Sequence, residues 1–323
     1  MEREIGGYLN LELSPSARSL HQDAFFVNSG RHAIEYCIRT IPNMKKIWFP
    51  YFTCRVVSVL EHKLGIKVER YHINRNLEIA DEIILGDNDY LLVANYFGIK
   101  DSYIDQLAKK YGNRLIVDNA HALFKHHIPG TMTAYSPRKV VGIPDGGIAY
   151  TCYPAFDMEL AYDISYDRCS AFIKRYDLGS AAGYADSKEC NKAIDKQPLK
   201  KMSRFTRALY NSIDFDRVKA IRRNNFRLLH EHLSSRNVFN VPELDSFECP
   251  LIYPYICKDE KLKNFLISNS IFVATYWPFV IDSCSPESVE VDLARHIVAL
   301  PIDQRYGEEE MNFIIEKVDE YER

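Results

Sequence analysis

From about Phe25 to Tyr153 the chain alternates between short runs rich in β-branched and aromatic residues and stretches whose apolar positions repeat with a helical period. The strand-like runs are Phe25–Val27, Lys46–Phe49, Lys67–His72, Tyr90–Tyr96, Arg114–Val117, Ala134–Ser136 and Ile148–Cys152. Ile34, Cys37, Ile38 and Ile41 fall at i, i+3, i+4 and i+7, and Val57, Leu60 and Leu64 keep that spacing with one gap. Each set lines one face of a helix. The alternation of strand and helix predicts helices packed on a largely parallel sheet, an α/β layer.

Between about Asp157 and Lys201 the periodicity weakens into a stretch rich in Tyr, Ser, Asp and Lys that includes GSAAGYADSKE. This pattern predicts irregular structure or a linker. Beyond it, Val218, Ile221, Leu228, Leu229 and Leu233, with basic residues opposite, predict a long amphipathic helix over Asp214–His232 that bridges two domains. Strand-like Pro250–Cys257, helix-like Asp259–Ser268, a short Ile271–Tyr276 run and a helix over Glu308–Tyr321 then describe a small α+β unit. The expected division is a large α/β domain over residues 1–200 and a small α+β domain over 201–323, with no internal repeat.

A length of 323 residues suits two such domains, and 46% apolar with 26% charged residues suits a packed core rather than a disordered chain. With 41 basic and 44 acidic side chains the net charge is -3, so nothing in bulk electrostatics draws the chain to nucleic acid or an anionic membrane. The eight cysteines are scattered without a C-x-x-C pair, which argues against a zinc cage or a disulfide framework. The opening MEREIGGYLNLELS lacks a basic segment followed by an apolar one, and no apolar run approaches the length of a membrane span. A cytoplasmic protein with reduced thiols is expected.

Three segments carry candidate chemistry. In Val27-Asn28-Ser29-Gly30-Arg31 a strand ends in a small polar turn and a helix begins; free N–H groups and a partial positive charge there suit a phosphate. An ordinary serine cap with a turn glycine fits the same residues. In Leu115-Ile116-Val117-Asp118-Asn119-Ala120-His121 an apolar strand ends in an acid, at the sheet edge where α/β enzymes bind ligands. Asp118 there would keep a ring nitrogen protonated; a capping Asp and a satisfied His are the alternative. In Tyr135-Ser136-Pro137-Arg138-Lys139, followed by Pro144-Asp145-Gly146-Gly147, a lysine on a rigid turn becomes a nucleophile toward an aldehyde if apolar walls or Arg138 lower its pKa. A solvated loop has the same composition. His126 and His127 diverge in extended backbone and have no third ligand nearby, so they are read as surface histidines and no metal is expected.

Phosphate turn, strand-end Asp118, and Lys139 twenty-one residues later form an order that resembles fold-type I pyridoxal 5'-phosphate (PLP) enzymes. NSG-R, FPYFTC, VDNAHA, SPRK and PDGG, then KMSRFTRAL, RRNNF and LPIDQRY, look more narrowly like the DegT-like nucleotide-sugar aminotransferases, over about residues 25 to 316. The resemblance implies a mixed, mostly parallel sheet in the large domain and a homodimer. It implies PLP held covalently by Lys139, its ring nitrogen paired with Asp118, and His121 beside the ring. Ser29, Gly30, Arg31 and Ser136 would take the phosphate. Where the family usually stacks an aromatic residue on the ring, Thr53 is followed by Cys54, and Phe52 or Tyr96 would substitute. The family's Gly-x-Asn-x-Arg segment is replaced by KMSRFTRAL. Tyr276 and Trp277, in Thr275-Tyr276-Trp277-Pro278, would approach the site mouth as substrate contacts, or else plug the small domain's core. The implied reaction moves an amino group from an amino acid such as glutamate to a keto sugar, nucleotide-linked. The alternatives are a PLP lyase or dehydratase, or a non-catalytic binding protein.

Overall fold

The computed structural model describes residues 5, 7–16, 19–154, 159–257, 259 and 261–323. β1 (Phe25–Val27) runs through Ser29 into α1 (Gly30–Thr40), where the Ser29 hydroxyl accepts the His32 N–H and caps the helix. Ile34, Cys37, Ile38 and Ile41 are buried, as their spacing predicts. Then follow β2 (Lys46–Pro50), α2 (Val56–Leu64), β3 (Lys67–Tyr71), β4 (Asp89–Ala94), α3 (Asp101–Tyr111), β5 (Leu115–Asn119), β6 (Met132–Tyr135) and β7 (Gly147–Tyr150).

These strands form one 7-stranded sheet in the order β1-β7-β6-β5-β4-β2-β3. β7 is antiparallel to β1 and β6, and the remaining neighbours are parallel. Alternate residues of the central strands enter two cores: Leu91, Val93, Leu115 and Val117 on one face, Tyr90, Leu92, Ile116 and α1 on the other. Ala94 lies opposite Asp118, and Asp118 opposite Ala134. The register therefore ends β4, β5 and β6 at one level, where β1 also delivers the start of α1.

The stretch expected to be irregular from Asp157 to Lys201 is instead largely helical. Asp157 itself lies outside the described residues, but α4 (Ser170–Leu178) and α5 (Tyr184–Asp195) follow, packed as a hairpin. Periodicity fails here for a physical reason: α4 buries only Ala171 and α5 only Ile194, so no apolar stripe is required. Ion pairing between Lys174 and Asp186 joins the two helices at 2.9 Å.

α6 (Arg204–Asn211) and α7 (Phe215–Leu233) lead to β8 (Ile252–Tyr255), α8 (Leu262–Ser268), α9 (Val280–Ser283), α10 (Val289–His296), β9 (Val298–Pro301) and α11 (Glu308–Glu322). β8 and β9 pair antiparallel, and the Ile271–Tyr276 run adds one bridge, Ala274 to Ala299. The long helix is present, but its basic residues are not all opposite the apolar stripe. Arg222 and Asn225 are buried with Val218, Phe226, Leu229 and Leu233, because backbone carbonyls meet them there. Among the described residues no helix is long and apolar enough to cross a membrane.

Candidate active site

A cleft of about 70 Å³ opens at the carboxyl edge of the sheet, and its wall brings together Gly30, Arg31, Cys54, Asp118, His121, Ser136, Lys139 and Trp277. Three other expected residues stand behind that wall. The Ser29 hydroxyl is engaged as the α1 cap, 3.0 Å from His32 Nδ1. Phe52 is buried, its ring centre 4.7 Å from Trp277 and edge-on to it. Tyr276 lies edge-on to His121 at 5.1 Å. Of the neighbouring histidines, His126 is exposed, whereas His127 is half-buried, 3.1 Å from Thr133 Oγ1 and stacked on Tyr150.

The sequence reading missed Asn95, which also lines the cleft. Its amide donates to Asp101 Oδ1 at 2.7 Å and to Asn119 Oδ1 at 3.2 Å, and its backbone N–H donates to the Asp118 carbonyl. Extending β4 to Tyr96 had hidden it inside a strand. Pairing the strand ends in parallel register would have set it beside Asp118.

Lys139 closes a single 3-10 turn, Pro137–Lys139, that begins at the end of β6. Its Nζ is 2.8 Å from His121 Nε2, and His121 Nδ1 accepts the Phe97 backbone N–H at 3.2 Å. A backbone N–H only donates, so the hydrogen-bond network assigns the proton of a neutral imidazole to Nε2. Nε2 then faces the Lys139 amine within hydrogen-bond distance. Burial, helped by the charge of Lys139, pushes His121 well below the usual histidine range and keeps it neutral. Phe97 and Trp277 both stack on His121, and both hold positive φ, 55° and 56°. Bulky residues rarely adopt that conformation, and such strain collects at functional sites.

The turn carrying Lys139 is clamped from the other side of the molecule. The Val140 carbonyl accepts Arg222 Nη2 at 3.1 Å and Gln304 Nε2 at 2.9 Å. Arg222 also donates to Gln304 Oε1 and the Leu251 carbonyl, and is 2% exposed.

Gly30 and Ser136 form the other end of the cleft. A Cβ on Gly30 would sit 2.6 Å from Ser136 Cβ and 2.8 Å from its Oγ, so only glycine lets α1 start this close to the serine. Arg31 donates through Nη2 to Asp195 Oδ1 at 2.7 Å, while its Nε is buried with no partner among the described residues. α5 holds Arg138 in the same way, Asn191 Oδ1 accepting its Nη2 at 2.8 Å. At the floor, Asp118 Oδ1 accepts the Ala120 N–H at 2.9 Å. Burial raises the Asp118 pKa, with the Lys139 charge and that N–H opposing.

The fold is a mostly parallel sheet whose carboxyl edge presents an acid, a lysine on a turn and a helix start. No family model matches the chain, and no curated protein does. Solved structures do. DesV from S. venezuelae, in complex with a ketimine intermediate, matches with a TM-score of 0.64 and 15% identity, over 92% of this chain and 84% of that one. A DegT DnrJ EryC1 StrS aminotransferase from Brucella abortus matches at 0.61 and 14%, over 92% and 85%. NtdA from Bacillus subtilis, with bound cofactor PMP, matches at 0.59 and 15%, over 92% and 72%. The chain is similar to these aminotransferases in fold.

Proposed function

We propose that this protein is a PLP-dependent aminotransferase that moves an amino group from an amino acid, glutamate first among candidates, to a keto sugar that is nucleotide-linked. The observation that carries the reading is the Lys139 Nζ to His121 Nε2 contact of 2.8 Å in the cleft that Asp118 floors. The site fits the cofactor that the fold implies. Asp118 is a half-buried carboxylate that accepts the Ala120 N–H and calls for a protonated ring nitrogen. The unpartnered Arg31 Nε and the Gly30–Ser136 approach suit a phosphate, with Gly30 and Arg31 N–H groups at the helix start.

PLP, when bound, supplies an electron sink for the carbanion formed at the amino-acid α-carbon. Lys139 is the residue that would hold the cofactor through its aldehyde, and its Nζ would carry a proton between substrate and cofactor carbons. His121 Nε2 lies within hydrogen-bond distance of Nζ, and the imidazole, being neutral, adds no charge beside it. Asp118 would keep the ring nitrogen protonated. Trp277 lines the cleft stacked on His121, with Tyr276 packed edge-on to His121 behind the wall. DesI, another match at 13% identity, was solved with its TDP-sugar product, which supports a nucleotide-linked acceptor.

We further propose a cytoplasmic homodimer, divided near residue 200 into a large and a small domain. The eight cysteines, scattered without a C-x-x-C pair, suit a reducing compartment. The hairpin α4–α5 exposes Ile173, Tyr176, Leu178 and Tyr184, an apolar face that a second copy would cover. Asp195 and Asn191 connect this hairpin to Arg31 and Arg138 by the cleft.

The test is a half-reaction. PLP-loaded protein given glutamate is expected to lose its yellow colour and yield pyridoxamine phosphate and 2-oxoglutarate, one per site; borohydride added beforehand fixes the cofactor on Lys139. No spectral change across a panel of amino acids would redirect the reading to a lyase or dehydratase.

A further inference from the structure

Behind the cleft a row of buried polar side chains joins the ends of three strands. Asn119 follows Asp118 in β5, so the row lies on the face of the sheet opposite the Asp118 side chain. It begins at Asp101, the first residue of α3, which is 3% exposed. Asp101 Oδ1 accepts Asn95 Nδ2 and Oδ2 accepts the Glu248 N–H, each at 2.7 Å. Burial raises the Asp101 pKa, and these two bonds oppose the rise. Asn95 Oδ1 accepts the Lys100 N–H at 3.1 Å, which fixes the amide with Nδ2 toward Asp101 and Asn119 Oδ1. With its Oδ1 taken, Asn119 turns Nδ2 toward Tyr135, its partner in the β5–β6 register. Burial raises the Tyr135 pKa and the Asn119 amide opposes it. The Tyr135 hydroxyl donates onward to the Lys125 carbonyl at 2.9 Å.

An ionised carboxylate only accepts, so Asp101 dictates which way each amide in the row points. Every member then adjoins a group of the cleft. The Asn95 backbone N–H donates to the Asp118 carbonyl at 3.0 Å, Asn119 follows Asp118, and Tyr135 precedes Ser136.

We propose that Asp101 is a positioning residue for the cleft: through Asn95, Asn119 and Tyr135 it keeps the ends of β4, β5 and β6 level and so sets the distance between Asp118 and Ser136. These two are the expected partners of the ring nitrogen and the phosphate of one rigid cofactor, so the assignment rests on the PLP reading. A rigid ligand is gripped at both ends only when that distance is right, and a small misplacement far from the chemistry is costly.

Titration of the full-length apoprotein with PLP and with pyridoxal, which lacks the phosphate, tests it, together with the visible circular dichroism of bound PLP, which reports how the cofactor sits in its site. Asp101→Asn puts a donor where only acceptors stood. It is expected to weaken PLP about tenfold, the usual effect of losing a charge-assisted hydrogen bond, and to diminish the dichroism, while pyridoxal, held at one end only, keeps its affinity. Tyr135→Phe breaks the far end of the row and is expected to discriminate against PLP in the same direction; it carries the test alone if thermal melting finds Asp101→Asn unfolded. Because both variants act through one row, the double variant is expected to bind PLP as the weaker-binding single does. Unchanged PLP affinity in the single variants, equal losses of PLP and pyridoxal with unchanged dichroism, or losses that multiply in the double variant overturn the positioning role. Wild-type protein that takes up no PLP overturns the cofactor reading itself and the positioning role with it.

Discussion

At the residue scale the cleft is organised around groups whose polar demands the chain leaves open. Asp118 is the simplest to test. Asp118→Asn is expected to leave the thermal midpoint equal or higher, since burial already disfavours the carboxylate, while amino transfer falls about 10²–10³-fold, the usual loss for a charge contact to the transition state. Parallel melting and single-turnover measurements separate the two; undiminished turnover rejects the role. Gly30→Ala places a Cβ against Ser136, so one side must shift. Overpacking of this kind costs about 1–3 kcal/mol, and phosphate-dependent retention of PLP is expected to weaken as well; a variant with unchanged stability and retention contradicts the close approach. His32 gives a pH prediction. Burial lowers its pKa from 6.5 to about 4, with Lys63 and Arg31 helping and Glu35 opposing. Between those values the unfolded chain holds a proton that the folded one does not, so stability is complete above about 6.5 and is lost toward pH 4, on the order of 3 kcal/mol in all. Urea midpoints at pH 7.5 and 5.0 are expected to diverge more in the wild type than in His32→Asn, and equal slopes would refute the assignment.

At the element scale, α7 does more than bury an apolar stripe. Arg222 reaches from it to the Val140 carbonyl, one residue past Lys139, and Gln304 shares that carbonyl. Arg222→Met removes a buried cation whose hydrogen-bond partners are neutral acceptors, so the apolar replacement itself is tolerable, but the Leu251 carbonyl loses its bond. The expected cost is about 1–3 kcal/mol in urea unfolding, together with slower formation of the yellow PLP complex because the Lys139 turn loosens. A variant that loses stability yet takes up PLP at the wild-type rate makes Arg222 structural only. The seven strands of the sheet were legible because each is a compact β-rich run buried on a sheet. α4 and α5 were not, because two helices that each bury one described residue leave no periodic trace. Arg222 was read as solvent-facing for the opposite reason: type and spacing said polar, and only distant carbonyls made burial possible.

At the scale of the whole molecule, the α4–α5 hairpin presents an apolar face beside the cleft, with Tyr176 93% exposed. A soluble chain seldom leaves such a patch uncovered. Light scattering is expected to give twice 37.5 kDa. Ile173→Glu combined with Tyr176→Lys is expected to yield a monomer of unchanged secondary structure. A wild-type monomer active with PLP would remove the interface.

The sequence by itself determined the alternation of strand and helix, the helix start at Ser29 and the order of Gly30, Asp118 and Lys139, because these depend on short-range periodicity and capping. Tertiary structure alone decided that β1 crosses to the far edge to pair with β7, that Asn95 and Asp118 end level, and that Gly30 touches Ser136. It alone set Arg222 on the Lys139 turn. Strand order, register and burial arise from contacts between segments far apart in the chain, and local pattern carries no record of which segments meet.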